Sequence, residues 1–251
     1  MSVDVIRDGG VLVATLNRPE KKNALTSAMY RGLRDALIAA SADEGVGAVL
    51  VTGAGGAFCA GNDIGDFLAE NRAQGEGART GAGGEFIRTL ARFDKQLVAA
   101  VEGAAVGVGT TMCLHCDLVY AAPSARFAMP FVNLGLAPEA GSSMLAPRRF
   151  GLGVASEMLL LGEAVDAARA REIGLVNEVV AAEALKGHAL AKAKALAAKP
   201  RAALMASRRL MRGDAEALYA HMEEELVVFA RLLKSPEARA AFEAFAGRAK
   251  G

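Results

Sequence analysis

Residues 97–122, LVAAVEGAAVGVGTTMCLHCDLVYAA, decide the fold class. Leu97 to Gly103 reads as a short apolar strand, Gly107 to Cys116 as a helix, and Asp117 to Ala122 as a strand again. A helix held between two apolar strands belongs to a layered α/β fold. The alternation continues toward the N-terminus. VDVIRDGGVLVATLN (3–17) is two strands joined at Asp8-Gly9-Gly10, residues that tolerate positive φ. Behind a Thr or Ser cap, Met29, Leu33, Leu37 and Ala40 fall at helical spacing in Thr26 to Ala40. Gly47 to Thr52 reads as a strand buried on both faces. The first 180 residues are therefore expected to be α/β.

Two segments depart from this alternation. AENRAQGEGARTGAGGE (69–85) is rich in Gly, Ala and charge and has neither period, which predicts a mobile loop or a frayed helix suited to closing over a ligand. From Ala181 to Lys250 the pattern is helical throughout, with Pro200, Gly213 and Pro236 as punctuation. Leu218, Met222, Leu226, Phe229 and Leu233 form an apolar stripe there, of the kind that docks on a neighbour.

Composition narrows the function classes. Of 251 residues, 53% are hydrophobic, ample for a core, and a net charge of +1 gives no electrostatic reason to expect nucleic acid or an acidic membrane surface. No run of about 18 apolar residues and no basic leader with an apolar stretch behind it occurs, so a cytoplasmic small-molecule protein is expected. Cys59, Cys113 and Cys116 are odd in number and suit a reducing compartment. CLHC (113–116) lacks a second ligand pair at zinc spacing, so packed helix residues are the expectation and metal or redox chemistry is not.

The stretch GAGGAFCAGNDI (53–64) poses the functional question. Its glycines match neither the dinucleotide fingerprint nor the lysine-bearing phosphate loop, which leaves a tight turn or a backbone offered to some other ligand.

Taken with NRPEKKNALT (17–26), AAVEGAAVGVGTTMCLHCDLVYAAPSARFAMPFVNLGLAPEAGSS (99–143) and EMLLLGEAVDAARAREIGLVNEVV (157–180), that loop resembles the crotonase (enoyl-CoA hydratase/isomerase) superfamily, across nearly the whole chain. The resemblance implies a ββα spiral acyl-CoA-binding core, residues 1–195, and a helical trimerisation region, residues 196–251. It also implies an acyl-CoA thioester as substrate, CoA being carried by the substrate with no separate cofactor and no metal, and a homotrimer or homohexamer. The C-terminal helices, more than one small domain need bury alone, point the same way.

By that match the backbone N–H groups of Asn62 and Val108 form an oxyanion hole. Two such donors at the positive end of a helix stabilise a thioester enolate by about 3 kcal/mol each. Ala60, Gly61, Asp63 and Ile64 flank Asn62 in the segment that holds acyl-CoA, and Gly109, Thr111 and Phe131 line the same site. Lys22, Asn23 and Ala24 lie where relatives contact CoA, Lys22 reading equally as a solvated lysine.

The resemblance also directs the chemistry. Hydratases of this family use two glutamates, and the matching positions here are Thr111 and Phe131, neither of which exchanges protons at neutral pH. Glu139 instead stands where Δ3,Δ2-enoyl-CoA isomerases carry a glutamate, and one carboxylate suffices to move a proton from C2 to C4. The alternatives are a helix-start role for Glu139 through the helix dipole, a hydratase with another water arrangement, and a non-catalytic acyl-CoA-binding subunit. Asp63 and Asp117 read as loop and helix-end residues, Asp63 doubling as a reserve acid, and His115 as packed within its helix.

Overall fold

The computed structural model describes residues 2–73 and 81–248. Ser2–Asp8 (β1) and Val11–Asn17 (β2) form the expected antiparallel hairpin, with Asp8 opposite Val11. Thr26 caps Ser27–Ala42 (α1) by accepting from the Met29 N–H, and Met29, Leu33, Leu37 and Ala40 are all buried along one face. Ala48–Gly53 (β3) is buried at every position.

Next come Ile64–Ala73 (α2) and Ala82–Arg92 (α3), which replace the ends of the mobile loop or frayed helix expected over 69–85 with regular helix. Residues 69–73 close α2 and 82–85 open α3, while residues 74–80 lie outside the described residues. The buried set of α3 is Ala82, Gly84, Phe86, Ile87 and Leu90, its large side chains all beyond residue 85, so the window read from sequence stopped before the helical period emerged.

Gln96–Val101 (β4) and Ala104–Val106 (β5) lead into Val108–His115 (α4), so a second short strand precedes the predicted helix. Leu118–Ala121 (β6), Arg126–Ala128 (β7), Ser142–Leu160 (α5), Ala164–Asp166 (β8), Ala167–Glu172 (α6) and Glu178–Val179 (β9) follow. The main sheet has the order β1-β2-β3-β4-β6-β9, and β5-β7-β8 make a second sheet. The chain places β4 in the first sheet and β5 in the second before α4, then repeats the step with β6, β7 and α5. That ββα winding is the spiral.

Both faces of the central strands β3 and β4 are covered, which is why these strands are almost continuously apolar. Val49, Val51, Leu97 and Ala99 face the layer containing α1 and α3. The alternate residues Ala48, Leu50, Val98 and Ala100 pack with Leu185, Ala189 and Ala193 of Ala182–Ala197 (α7).

The remainder is helical as predicted: Arg201–Arg212 (α8), Ala215–Leu232 (α9) and Pro236–Arg248 (α10). No residue of α8 is buried; Arg208 and Arg212 tie it to Asp117, whose other partner is the Leu97 N–H. The apolar stripe of α9 is used within its own chain. Met222 and Leu226 are buried, and Leu218, Phe229 and Leu233 pack against the core. Phe67 of α2 stands 6.3 Å from both Phe229 and Phe242 of α10. The exposed apolar side chains of this region are instead Leu210 and Met211 of α8, 79% and 87% exposed, with Val227 of α9.

Candidate active site

Two segments meet at the start of α4. The first is residues 57–64, cross-tied to the loop after β2. Leu25 forms an isolated parallel bridge with Asn62, its N–H donating to the Gly61 carbonyl and its carbonyl accepting from the Asp63 N–H. Such a bridge uses the groups of the residues on either side, so the Asn62 N–H turns away from Leu25, and it has no acceptor among the described residues. The Asn62 side-chain oxygen accepts from the Tyr30 hydroxyl of α1. The glycine-rich loop is thus a backbone device. Gly61 has φ 93°, and a Cβ there would stand 3.1 Å from the Val106 carbonyl.

The second segment is α4 itself, every residue of it buried. The Thr110 and Thr111 N–H groups both donate to the Gly107 carbonyl, and Val108, the first helical residue, keeps its N–H without an acceptor among the described residues. Gly109 allows the segments to touch, since a Cβ there would lie 2.6 Å from the Cys59 carbonyl. Cys59 in turn pairs with β5 through its N–H to Ala104 and its carbonyl from the Val106 N–H. The ring of Phe131 lies beside Gly107, 4.0 Å from where a Cβ on it would sit.

Glu139 joins this second segment. Its carboxyl is buried, 7% exposed, and accepts a 2.7 Å hydrogen bond from the Thr111 hydroxyl, one turn along α4 from Val108. Burial pushes its pKa up from 4.5 to about 8; the Thr111 bond opposes that and the Glu225 charge adds to it. The next residue, Ala140, has φ 57°, a conformation that L side chains rarely adopt. His115 holds the Ala140 carbonyl at 2.7 Å through Nε2. Burial brings His115 down to about 4, so the ring is neutral and Nε2 carries the proton it donates.

The remaining predicted residues have defined surroundings. Asn23 is buried; its oxygen accepts from the Arg18 N–H and its amide donates to the Ala54 and Ala57 carbonyls, so its side chain splices two loops together. The Lys22 carbonyl accepts from the Ala60 N–H and the Ala24 carbonyl from Arg18, while the Lys22 side chain is exposed. Ile64 opens α2 half-buried against the core. Asp63 pairs with Arg18 at 2.8 Å and accepts the Asp66 N–H. Partial burial works against its ionisation, but the Asp66 N–H and Arg18 prevail and hold it below the usual carboxylate range. Cys59, Cys113 and Cys116 are free and buried, burial raising all three thiols. Among the described residues no group of three or more His, Cys, Asp or Glu is arranged to hold a metal ion, and no helix is long and apolar enough to cross a membrane.

The comparison with known proteins matches this arrangement to a family. The model for enoyl-CoA hydratase/isomerase matches residues 7–251. The chain belongs to that family. Its members act on acyl-CoA thioesters. Enoyl-CoA delta isomerase 2 of Rattus norvegicus is 40% identical over 224 residues, 88% of this chain but 57% of the rat protein, so the chain spans little more than half of that relative. The 2,3-dehydroadipyl-CoA hydratase of Escherichia coli is 34% identical over 96% of this chain and 94% of its own. Among solved structures, Pseudomonas aeruginosa OdaA superposes with a TM-score of 0.90 at 42% identity, covering 97% of this chain and 98% of that one. An enoyl-CoA hydratase/isomerase from Pseudoalteromonas atlantica gives 0.91 at 39% identity, covering 99% and 98%.

Sequence reasoning missed three supports of this family site: Tyr30 on Asn62, His115 on Ala140, and Glu225, described below. Each joins residues distant in sequence, and no local pattern marks them. Thr111 was read as lining the site and as the replacement of an acid, whereas it also bonds the acid that remains.

Proposed function

We propose that this enzyme is a Δ3,Δ2-enoyl-CoA isomerase and that Glu139 shuttles the proton. The observation that carries this reading is the 2.7 Å bond between Glu139 and Thr111, because it puts the buried carboxyl on the same helix start as the free Val108 N–H. In the reaction the Glu139 carboxylate takes a proton from C2 of the 3-enoyl thioester, and the electron pair flows into the C1 oxygen. The Asn62 and Val108 N–H groups hold that oxyanion. Collapse of the dienolate takes the proton back at C4, leaving the double bond between C2 and C3. A carboxyl whose pKa is about 8 both accepts and returns a proton near neutral pH, as a single acid-base group must. Hydration would ask for a second proton-transfer group, and Thr111 and Phe131 at those positions are buried and do not titrate.

The relatives include both isomerases and hydratases, so product analysis is the test. Pure protein is incubated with a 3-enoyl-CoA and, separately, with a 2-enoyl-CoA. The reading expects conjugated 2-enoyl-CoA from the first and little 3-hydroxyacyl-CoA from the second; rapid hydration that survives Glu139→Ala would overturn it. We further propose that residues 1–195 form the acyl-CoA-binding core, that residues 196–251 serve a cytoplasmic homotrimer or dimer of trimers, and that Lys22 meets the CoA phosphates.

A further inference from the structure

Helix α9 carries a buried carboxylate, Glu225, 7% exposed, which the chemistry above does not use. Its oxygens accept from the Gly141 N–H at 2.6 Å, the Ser143 N–H at 2.9 Å and the Ser143 hydroxyl at 2.5 Å. These donors belong to the start of α5, immediately after Glu139. That segment holds two consecutive residues at positive φ, Ala140 at 57° and Gly141 at 69°. A backbone so disposed persists only when its surroundings over-determine it. On one side His115 of α4 grips the Ala140 carbonyl. On the other, Glu225 supplies the carboxylate cap that no side chain of α5's own N-terminus provides.

We propose that Glu225 is a positioning residue that clamps the Glu139-to-Ser143 segment and so fixes the Glu139 carboxyl against Thr111. The inference rests on the isomerase reading for its catalytic consequence only; the clamp stands apart from it. Leu218 and Met222 of α9 pack on Gly141 beside the clamp. His221, on the same helix, lies with Nε2 2.7 Å from the Ser143 hydroxyl and 3.7 Å from Glu225. Glu139 and Ser143 face it from the α5 side, with neutral His115 beyond Ala140. Glu225 acts on Glu139 as a like charge and favours its protonated form, so removing that charge makes Glu139 ionise at lower pH.

The test uses full-length protein labelled with carboxyl-13C glutamate. The Glu139 resonance, assigned by its loss in Glu139→Gln, is titrated in the parent, in Glu225→Gln and in Glu225→Asp. Glu225→Gln is expected to lower the midpoint of the Glu139 titration and, through the misplaced carboxyl, to lower kcat for isomerisation about 10-fold to 10²-fold with KM little changed. Asp, which keeps the charge, should restore the midpoint in part. Should Glu225→Gln not fold, Ser143→Ala, which deletes one of the three donors and keeps the Glu225 charge, should lower kcat by less and leave the Glu139 midpoint near the parental value. An unchanged midpoint or an unchanged kcat in folded Glu225→Gln overturns the proposal. A shifted midpoint in a protein whose parent has no isomerase activity upholds the clamp and removes the reaction assigned to it.

Discussion

Substituting Glu139 by Gln should make the protein more stable, and increasingly so as pH rises. In the unfolded chain this carboxyl ionises near 4.5, whereas burial holds it protonated to about 8 in the fold. Between those values the unfolded chain has released a proton that the folded protein retains, so the group costs stability as pH rises from about 4.5 to about 8. At about 1.4 kcal/mol per pH unit, that gap sets a ceiling of about 5 kcal/mol above pH 8, with near equality of the two proteins at pH 4.5. Gln keeps the acceptor for Thr111 and removes the titration. Urea unfolding of parent and variant at pH 5, 6, 7 and 8 gives the difference directly. Parallel stability profiles for the two proteins across that range would refute the reasoning, since they would mean Glu139 ionises in the fold as it does in water.

The supports around the site give further expectations. Tyr30→Phe deletes the hydroxyl that holds the Asn62 side chain, and a net loss of about 1 kcal/mol in oxyanion stabilisation would appear as a roughly fivefold fall in kcat at unchanged fold by circular dichroism. Ala140→Gly removes the penalty of a left-handed alanine and should raise Tm, by an amount corresponding to about 1 kcal/mol, while lowering kcat as the Glu139 segment loosens. Both effects are read from one preparation by calorimetry and steady-state assay. The proposed assembly predicts a trimer or hexamer by sedimentation at micromolar concentration, and a monomer there would remove it.

The sheet was legible because burial on both faces leaves an unmistakable run of apolar residues, as at Ala48 to Thr52 and Leu97 to Val101. Helix α1 was legible because its cap and its stripe are local. Helix α3 was not, because Gly81, Gly83 and Gly84 at its start gave the segment a loop-like composition while its stabilising residues, Phe86, Ile87 and Leu90, pack at a distance in sequence. What covers the stripe of α9 was not legible for a related reason: amphipathicity says that a face is covered but not by what, and here Arg88 of α3 pairs with Glu223 at 2.5 Å and Phe67 meets Phe229 in the same chain. At the site, the backbone segments around Asn62 and Val108 were visible as motifs. The side-chain contacts that give Glu139 its character were not, since Thr111 lies 28 residues before it and Glu225 reaches Gly141 across 84.

The central claim is that Glu139 is the group that moves the proton, and the most direct measurement compares parent and Glu139→Gln on a 3-enoyl-CoA by the appearance of conjugated product. The parent should show kcat rising with pH toward a plateau above about 8, as the carboxylate forms. Glu139→Gln should bind acyl-CoA with nearly parental affinity and lose about 10²-fold to 10⁴-fold in kcat, the usual worth of general acid-base catalysis. Near-parental isomerisation by the variant would contradict the account and leave Glu139 as a buried residue that merely leads into α5, which begins only at Ser142.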